Sequence, residues 1–200
     1  PIPEDDVKLI FTQVCKAIRR LHRKNVAHLD VKPENIFLND INTIKLGDFG
    51  SCFHWSPENP KKFGASGTSF YCAPEVKNKK AYFPAEADIW SLGILLHVLC
   101  TGFWPYSATT EEELSEFIAK GKTKLLLKKL PDNPDLIELL QGMLQYVPEN
   151  RYTIEEILDS AWLDEGEAST RSTGSVSSEI PPVYLSSNSA PNLAEIPIFD

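Results

Sequence analysis

Two hundred residues with 42% hydrophobic content are enough to bury one core of ordinary domain size. The formal charge of −8 argues against nucleic acid or an anionic membrane as the main partner, since both require a basic face, whereas basic peptides suit an acidic surface. Cys15, Cys52, Cys72 and Cys100 are scattered without a CxxC pair, which points away from a zinc site or a disulfide framework and toward a reducing cytoplasmic setting, with the nucleus as the alternative. No stretch reads as a membrane span or a signal peptide.

In chain order, Pro3 to Asn25 carries Val7, Ile10, Phe11, Val14, Ile18 and Leu21 at three- and four-residue steps, the stripe of an amphipathic helix, with Glu4, Asp5 and Asp6 in its first turn. Ile36 to Leu38 and Thr43 to Leu46 are short β-favouring runs around the turn formers Asn39, Asp40 and Asn42, and predict a hairpin. Ser51 to Ser69, rich in Ser, Pro, Gly, Asn and Lys, has little periodicity and reads as a long mobile surface loop. Asp88 to Cys100 is apolar on nearly all sides, as in a helix sunk in a larger core. Three amphipathic helices follow. Thr110 with Glu113 and Thr153 with Glu156 have capping-box spacing, and Asn133-Pro134 offers a cap followed by a first-turn proline. Their apolar faces hold Leu114, Phe117 and Ile118, then Leu136, Leu139, Leu140 and Met143, then Ile154, Ile157 and Leu158. The domain is expected to end near Leu163, and residues 164–200, dominated by Ser, Thr, Pro and acidic residues, read as a disordered or docking tail.

The chemistry-bearing motifs are HLDVKPEN from His28, GDFG from Gly47, APE from Ala73, DIWSLGILL from Asp88 and VPENRYTIEEIL from Val147. Each is weak alone; together and in this order they resemble the eukaryotic protein kinases over about Pro3 to Leu163. The resemblance covers the second half of that domain. No glycine-rich loop, no VAIK-type lysine and no matching helix glutamate stand upstream, so the expected fold is mainly α with a small β-hairpin, a kinase-like C-terminal lobe at 1–163 without the β-rich N-terminal lobe.

Residue by residue, the resemblance makes Asp30 the catalytic base, Lys32 the cation on the transferred phosphate, and Asn35 and Asp48 the magnesium ligands on the nucleotide. Thr68, in GTSFYCAPE, would hydrogen-bond Asp30 and Lys32, with a phosphorylatable loop threonine as its other reading. Phe37 occupies the place of an apolar residue under the adenine, although an ordinary core phenylalanine fits nearly as well. His28 is expected to pack beneath Phe49 rather than act as acid or base, Asp88 to accept backbone hydrogen bonds that brace the Asp30 loop, and Glu75 to pair with Arg151.

Lys32 resembles serine/threonine rather than tyrosine kinases. TGFWPY and RYTIEEILDSAWL look most like the calmodulin-dependent and AMP-activated groups, while HLD recurs among Wee-like kinases. Two departures go together. Leu29 stands where most members carry an arginine that binds a loop phosphate, and Gly64 stands where many carry the phosphorylated threonine. The sequence therefore predicts transfer of the ATP γ-phosphate, with magnesium, to a serine or threonine hydroxyl of a protein substrate, and no phosphate switch at that point. A regulatory or small-lobe-completing partner is the other expected contact, and a truncated, non-catalytic kinase-fold binding module is the alternative function.

Overall fold

The computed structural model describes residues 2–39, 43–77, 81–106, 108, 110–119, 130–164 and 198–199. The expected turn residues Asp40 and Asn42, the Ile118 side chain and, apart from Ile198–Phe199, the tail beyond Asp164 lie outside the described residues.

Helix α1, Glu4–His22, starts after Pro3 and carries Glu4, Asp5 and Asp6 at its positive end and Arg19, Arg20 and His22 in its last turn, both favourable to the helix dipole. Val7, Ile10, Phe11, Val14 and Ile18 are buried on one stripe, as the spacing predicts. They face α3, Pro84–Thr101, in which almost every residue is buried. The apolar run places this helix correctly but a turn too late. Its first turn, Pro84 to Ala87, holds Glu86 between two alanines after a first-position proline, so it begins without hydrophobic signal. Gly102 stops it in a left-handed conformation at φ 74°.

Around this pair lie α4, Glu111–Ala119, α5, Pro134–Met143, and α6, Ile154–Leu158. Their predicted caps form: the Asn133 side chain accepts from the Leu136 amide, the Thr110 hydroxyl from the Glu113 amide, and Thr153 with Glu156 completes a capping box. The chain then turns at Trp162, buried edge-on against Phe11, whose indole N–H donates to Glu4 at 3.0 Å. That bond closes the helical body on its own first turn.

Among the described residues, two small sheets sit on the helices. Strands β2, Ile36–Asn39, and β3, Ile44–Leu46, form the predicted antiparallel hairpin with Phe37 opposite Lys45. Strand β5, Ile198–Phe199, lies parallel to the far edge of β2. Strand β1, Val26–Ala27, pairs antiparallel with β4, Phe53–His54. The segment from Ser51 to Ser69, expected to be a long mobile surface loop, is therefore fastened at several points. Beyond β4, the Trp55 amide donates to the Asn25 carbonyl, and Lys62 makes a two-way backbone bridge with Tyr82. These fastenings are one or two residues long, shorter than the alternation that would reveal a strand in the sequence. A short helix α2, Pro74–Lys77, follows.

Candidate active site

Strand β1 delivers the chain to His28, and a carboxylate from beneath fixes the next turn. Asp88, fully buried in α3, accepts the amides of His28 at 2.8 Å and Leu29 at 2.7 Å. The His22 imidazole, at the end of α1, lies 2.9 Å from the same carboxylate. Asp88 thus knots α1, α3 and the loop together, with its charge met by three partners. His22 was invisible to sequence reasoning: a lone histidine in a helical pattern gives no sign of a partner sixty-six positions away.

His28 packs edge-on against Phe49 with ring centroids 5.2 Å apart. Its Nε2 lies 2.9 Å from the Gly47 carbonyl and its Nδ1 accepts the Asp30 amide, so the ring's Nε2–H faces the carbonyl. Both nitrogens are spent on scaffold, which leaves none for proton transfer to a substrate.

Asp30, 8% exposed, is surrounded by the residues that the motifs single out. Thr68 donates to its Oδ1 at 2.8 Å, the Lys32 ammonium sits 2.8 Å from Oδ2, and the Asn35 amide donates to Oδ2 at 3.0 Å and to the Asp30 carbonyl at 2.8 Å. Lys32 also donates to the Thr68 hydroxyl at 2.7 Å, so that hydroxyl has one orientation, accepting from the cation and donating to the anion. Burial works to raise the Asp30 pKa, but the hydrogen bonds and charge of Lys32 and the bonds from Thr68 and Asn35 together outweigh it. The carboxyl is held below the usual range. It is a carboxylate at every physiological pH, with oxygens aimed by three neighbours.

Asp48 differs. It is exposed, its backbone is left-handed at φ 54°, and its carboxylate accepts the Gly50 amide at 3.2 Å. Phe37, half-buried in β2, lies against Gly47 so closely that a β-carbon there would overlap its ring. Among the described residues no cluster of three His, Cys, Asp or Glu side chains is arranged to hold a metal. The oxygen donors that fit magnesium are fewer. Asn35 commits its amide nitrogen to Asp30, which leaves the amide oxygen for a cation, and Asp48 supplies an exposed carboxylate. Magnesium takes one or two protein oxygens and completes its shell with phosphate and water, so this sparse donor set suits it.

Behind the site, Arg151 and Glu75 form the expected two-pronged pair at 2.6 and 2.8 Å. Arg151 is buried, donates also to the carbonyls of Glu86 and Gln145, and lies over the Trp90 ring. A guanidinium satisfied on every side ties α2 to α3 and to the turn before α6. The four cysteines are free, and burial pushes the Cys52 and Cys72 thiols up to about 11. They are poor nucleophiles there.

Residues 1–163 match the protein kinase domain family. The chain is 37% identical over 170 residues to a probable serine/threonine-protein kinase of Dictyostelium discoideum, a match covering 85% of this chain and 10% of that protein. It is 34% identical over 168 residues to maternal embryonic leucine zipper kinase of Xenopus tropicalis, covering 82% of this chain and 25% of that protein. It is 35% identical over 169 residues to CBL-interacting serine/threonine-protein kinase 20 of Arabidopsis thaliana, covering 82% and 37%. The chain thus spans between about a tenth and just over a third of the length of these relatives. With the ordered motifs gathered around one carboxylate, these matches place the chain in the eukaryotic serine/threonine protein kinase family.

Proposed function

We propose that this chain is the catalytic large lobe of a serine/threonine protein kinase, transferring the γ-phosphoryl group of ATP to a protein hydroxyl. The observation that carries the reading is the Asp30 carboxylate, buried yet ionised, with Thr68, Lys32 and Asn35 all bonded to it. In the transfer, the substrate oxygen forms a bond to phosphorus as the bond to the β-phosphate oxygen breaks, and the hydroxyl proton passes to Asp30. A carboxylate with a lowered pKa is a weak base, so Asp30 orients the hydroxyl throughout and receives the proton late. This suits a loose transition state in which the nucleophile contributes little bonding early on. Lys32, beside both Asp30 and Thr68, is placed to offset the charge on the moving phosphoryl group. Asn35 and Asp48 would hold magnesium, which supplies neutralisation of the nucleotide phosphates. Thr68 keeps Asp30 aligned while the substrate segment lies alongside it.

The test joins this chain to a small lobe and follows phosphate transfer from ATP to a serine or threonine peptide. Asp30→Asn is expected to lower kcat by about two to four orders of magnitude with nucleotide affinity nearly unchanged. Wild-type turnover in Asp30→Asn would sink the assignment. Residues 1–200 alone are expected to bind magnesium-ATP too weakly for calorimetry at micromolar protein, because the partner groups that clamp the phosphates from the other side belong to the small lobe.

One observation favours a second reading as a partner-binding module. Phe49 is 52% exposed, and with half-buried Phe37 it leaves apolar surface open beside the site. A small lobe would cover it.

A further inference from the structure

We propose that Lys62 is a positioning residue that holds the segment between Gly50 and Thr68 in its working shape, doing with a built-in cation what a phosphate–arginine contact would otherwise do. The inference rests on the kinase reading above. Leu29 and Gly64 remove both halves of such a contact, yet Thr68 is seated on Asp30 at 2.8 Å. Something must fix the chain before it.

Lys62 is tied at three places. Its backbone exchanges hydrogen bonds with Tyr82 at 2.9 and 3.0 Å, and Tyr82 is buried two residues before α3. Its ammonium lies over the Phe53 ring, on the strand that pairs with β1. The same ammonium donates to the Ser66 hydroxyl at 3.0 Å. Ser66 is held from the other side as well, since its carbonyl accepts the Cys72 thiol at 2.9 Å. The next residue, Gly67, is pressed against the Leu29 carbonyl, and the one after is Thr68. A continuous run of contacts therefore leads from the foot of α3 through Lys62 and Ser66 to the hydroxyl that aims Asp30.

The Lys62 group suits this task. It is half-buried and has a hydroxyl and an aromatic face for partners where a carboxylate would be expected, and burial lowers its pKa. Among the described residues no carboxylate forms an ion pair with it, and a half-buried cation in that setting is costly unless surrounding structure fixes it. The Ser66 hydroxyl accepts from the ammonium at 3.0 Å, a bond that an apolar side chain at position 62 would lack.

In the chain joined to a small lobe, Lys62→Met is expected to lower kcat about tenfold, the scale of one hydrogen bond from a charged group, with KM for ATP unchanged. Lys62→Arg should recover most of the loss. Ser66→Ala should reproduce it, and the double variant should be no worse than the worse single one, because both remove the same bond. Hydrogen exchange of the Phe63 to Thr68 amides should quicken equally in Lys62→Met and Ser66→Ala, a readout independent of activity. Phosphatase treatment of the wild type should leave kcat unchanged. Wild-type kcat and exchange in Lys62→Met, losses that multiply in the double variant, or a large drop on dephosphorylation would each overturn the proposal. Absence of any Asp30-dependent transfer in the wild type would instead count against the kinase reading, and the exchange experiment would still judge the Lys62 tie.

Discussion

The two aspartates of the site are built in opposite ways. Asp30 sits on a loop anchored from below by buried Asp88 and has three side chains bonded to it, whereas Asp48 is exposed and accepts one amide two residues on. The first is preorganised by the helical body itself. The second has little within the fold to organise it. A residue that must orient a hydroxyl gains from being fixed in advance, since misalignment by an ångström forfeits much of the rate. On the reading proposed above, Asp48 would hold a nucleotide-bound cation that departs after transfer, and would gain from being accessible.

The most severe way to break this contrast is to remove the anchor of the first aspartate. Asp88→Ala leaves the His28 and Leu29 amides and the His22 ring without their acceptor, and at about 1–3 kcal/mol for each stranded buried group the urea midpoint should collapse along with turnover. A variant that stayed as stable as wild type would show that the loop is held by other means. Thr68→Val comes next. It keeps the shape and removes the hydroxyl, so kcat should fall about tenfold to a hundredfold with thermal stability nearly unchanged, while Thr68→Ser stays close to wild type. A loss in Thr68→Ser with Thr68→Val close to wild type would mean that the methyl group, and not the hydroxyl, matters. Asp48→Asn should weaken magnesium-ATP binding about tenfold by calorimetry in the completed kinase and leave the melting temperature alone, because Asp48 has few bonds within the fold to lose. A drop in melting temperature without ligand would show that Asp48 is as structural as Asp30.

The smallest effect is acid-dependent. The Asp30 pKa is lowered on folding, so its contribution to stability is fully present above the unfolded carboxylate value near 4 and is lost as pH falls through the lower folded value. The Asp30→Asn variant should therefore run parallel to wild type from pH 7 to about 4.5 and converge with it below. Convergence already at pH 6 would mean that the carboxyl is raised instead.

Legibility in the sequence followed the length scale of each pattern. Helix α1 and its stripe, the β2–β3 hairpin, the caps at Asn133 and Thr153 and the Glu75–Arg151 pair were all readable, because each rests on a periodicity, a cap spacing or a motif. The meeting of Asp30 with Lys32, Asn35 and Thr68 was readable only through resemblance, since nothing in the spacing from 32 to 68 fixes a contact. The β1–β4 pairing, the Lys62–Tyr82 bridge and the His22–Asp88 contact left no trace. They join short or single residues across long intervals, where loop closure and core packing, rather than local preference, decide the partner.

Leu29 holds a left-handed backbone at φ 62°, rare for a residue with a branched side chain, and its carbonyl faces Gly67, itself at φ 82°. Each position licenses the other. A β-carbon at 67 would overlap that carbonyl, and relaxing position 29 toward an ordinary conformation would swing the carbonyl away and leave 67 unsupported. In a lineage of such chains, then, substitution at 67 is closed while 29 keeps this turn, and even Gly67→Ala, the mildest change available, should first be felt across the loop at Asp30 rather than at its own site.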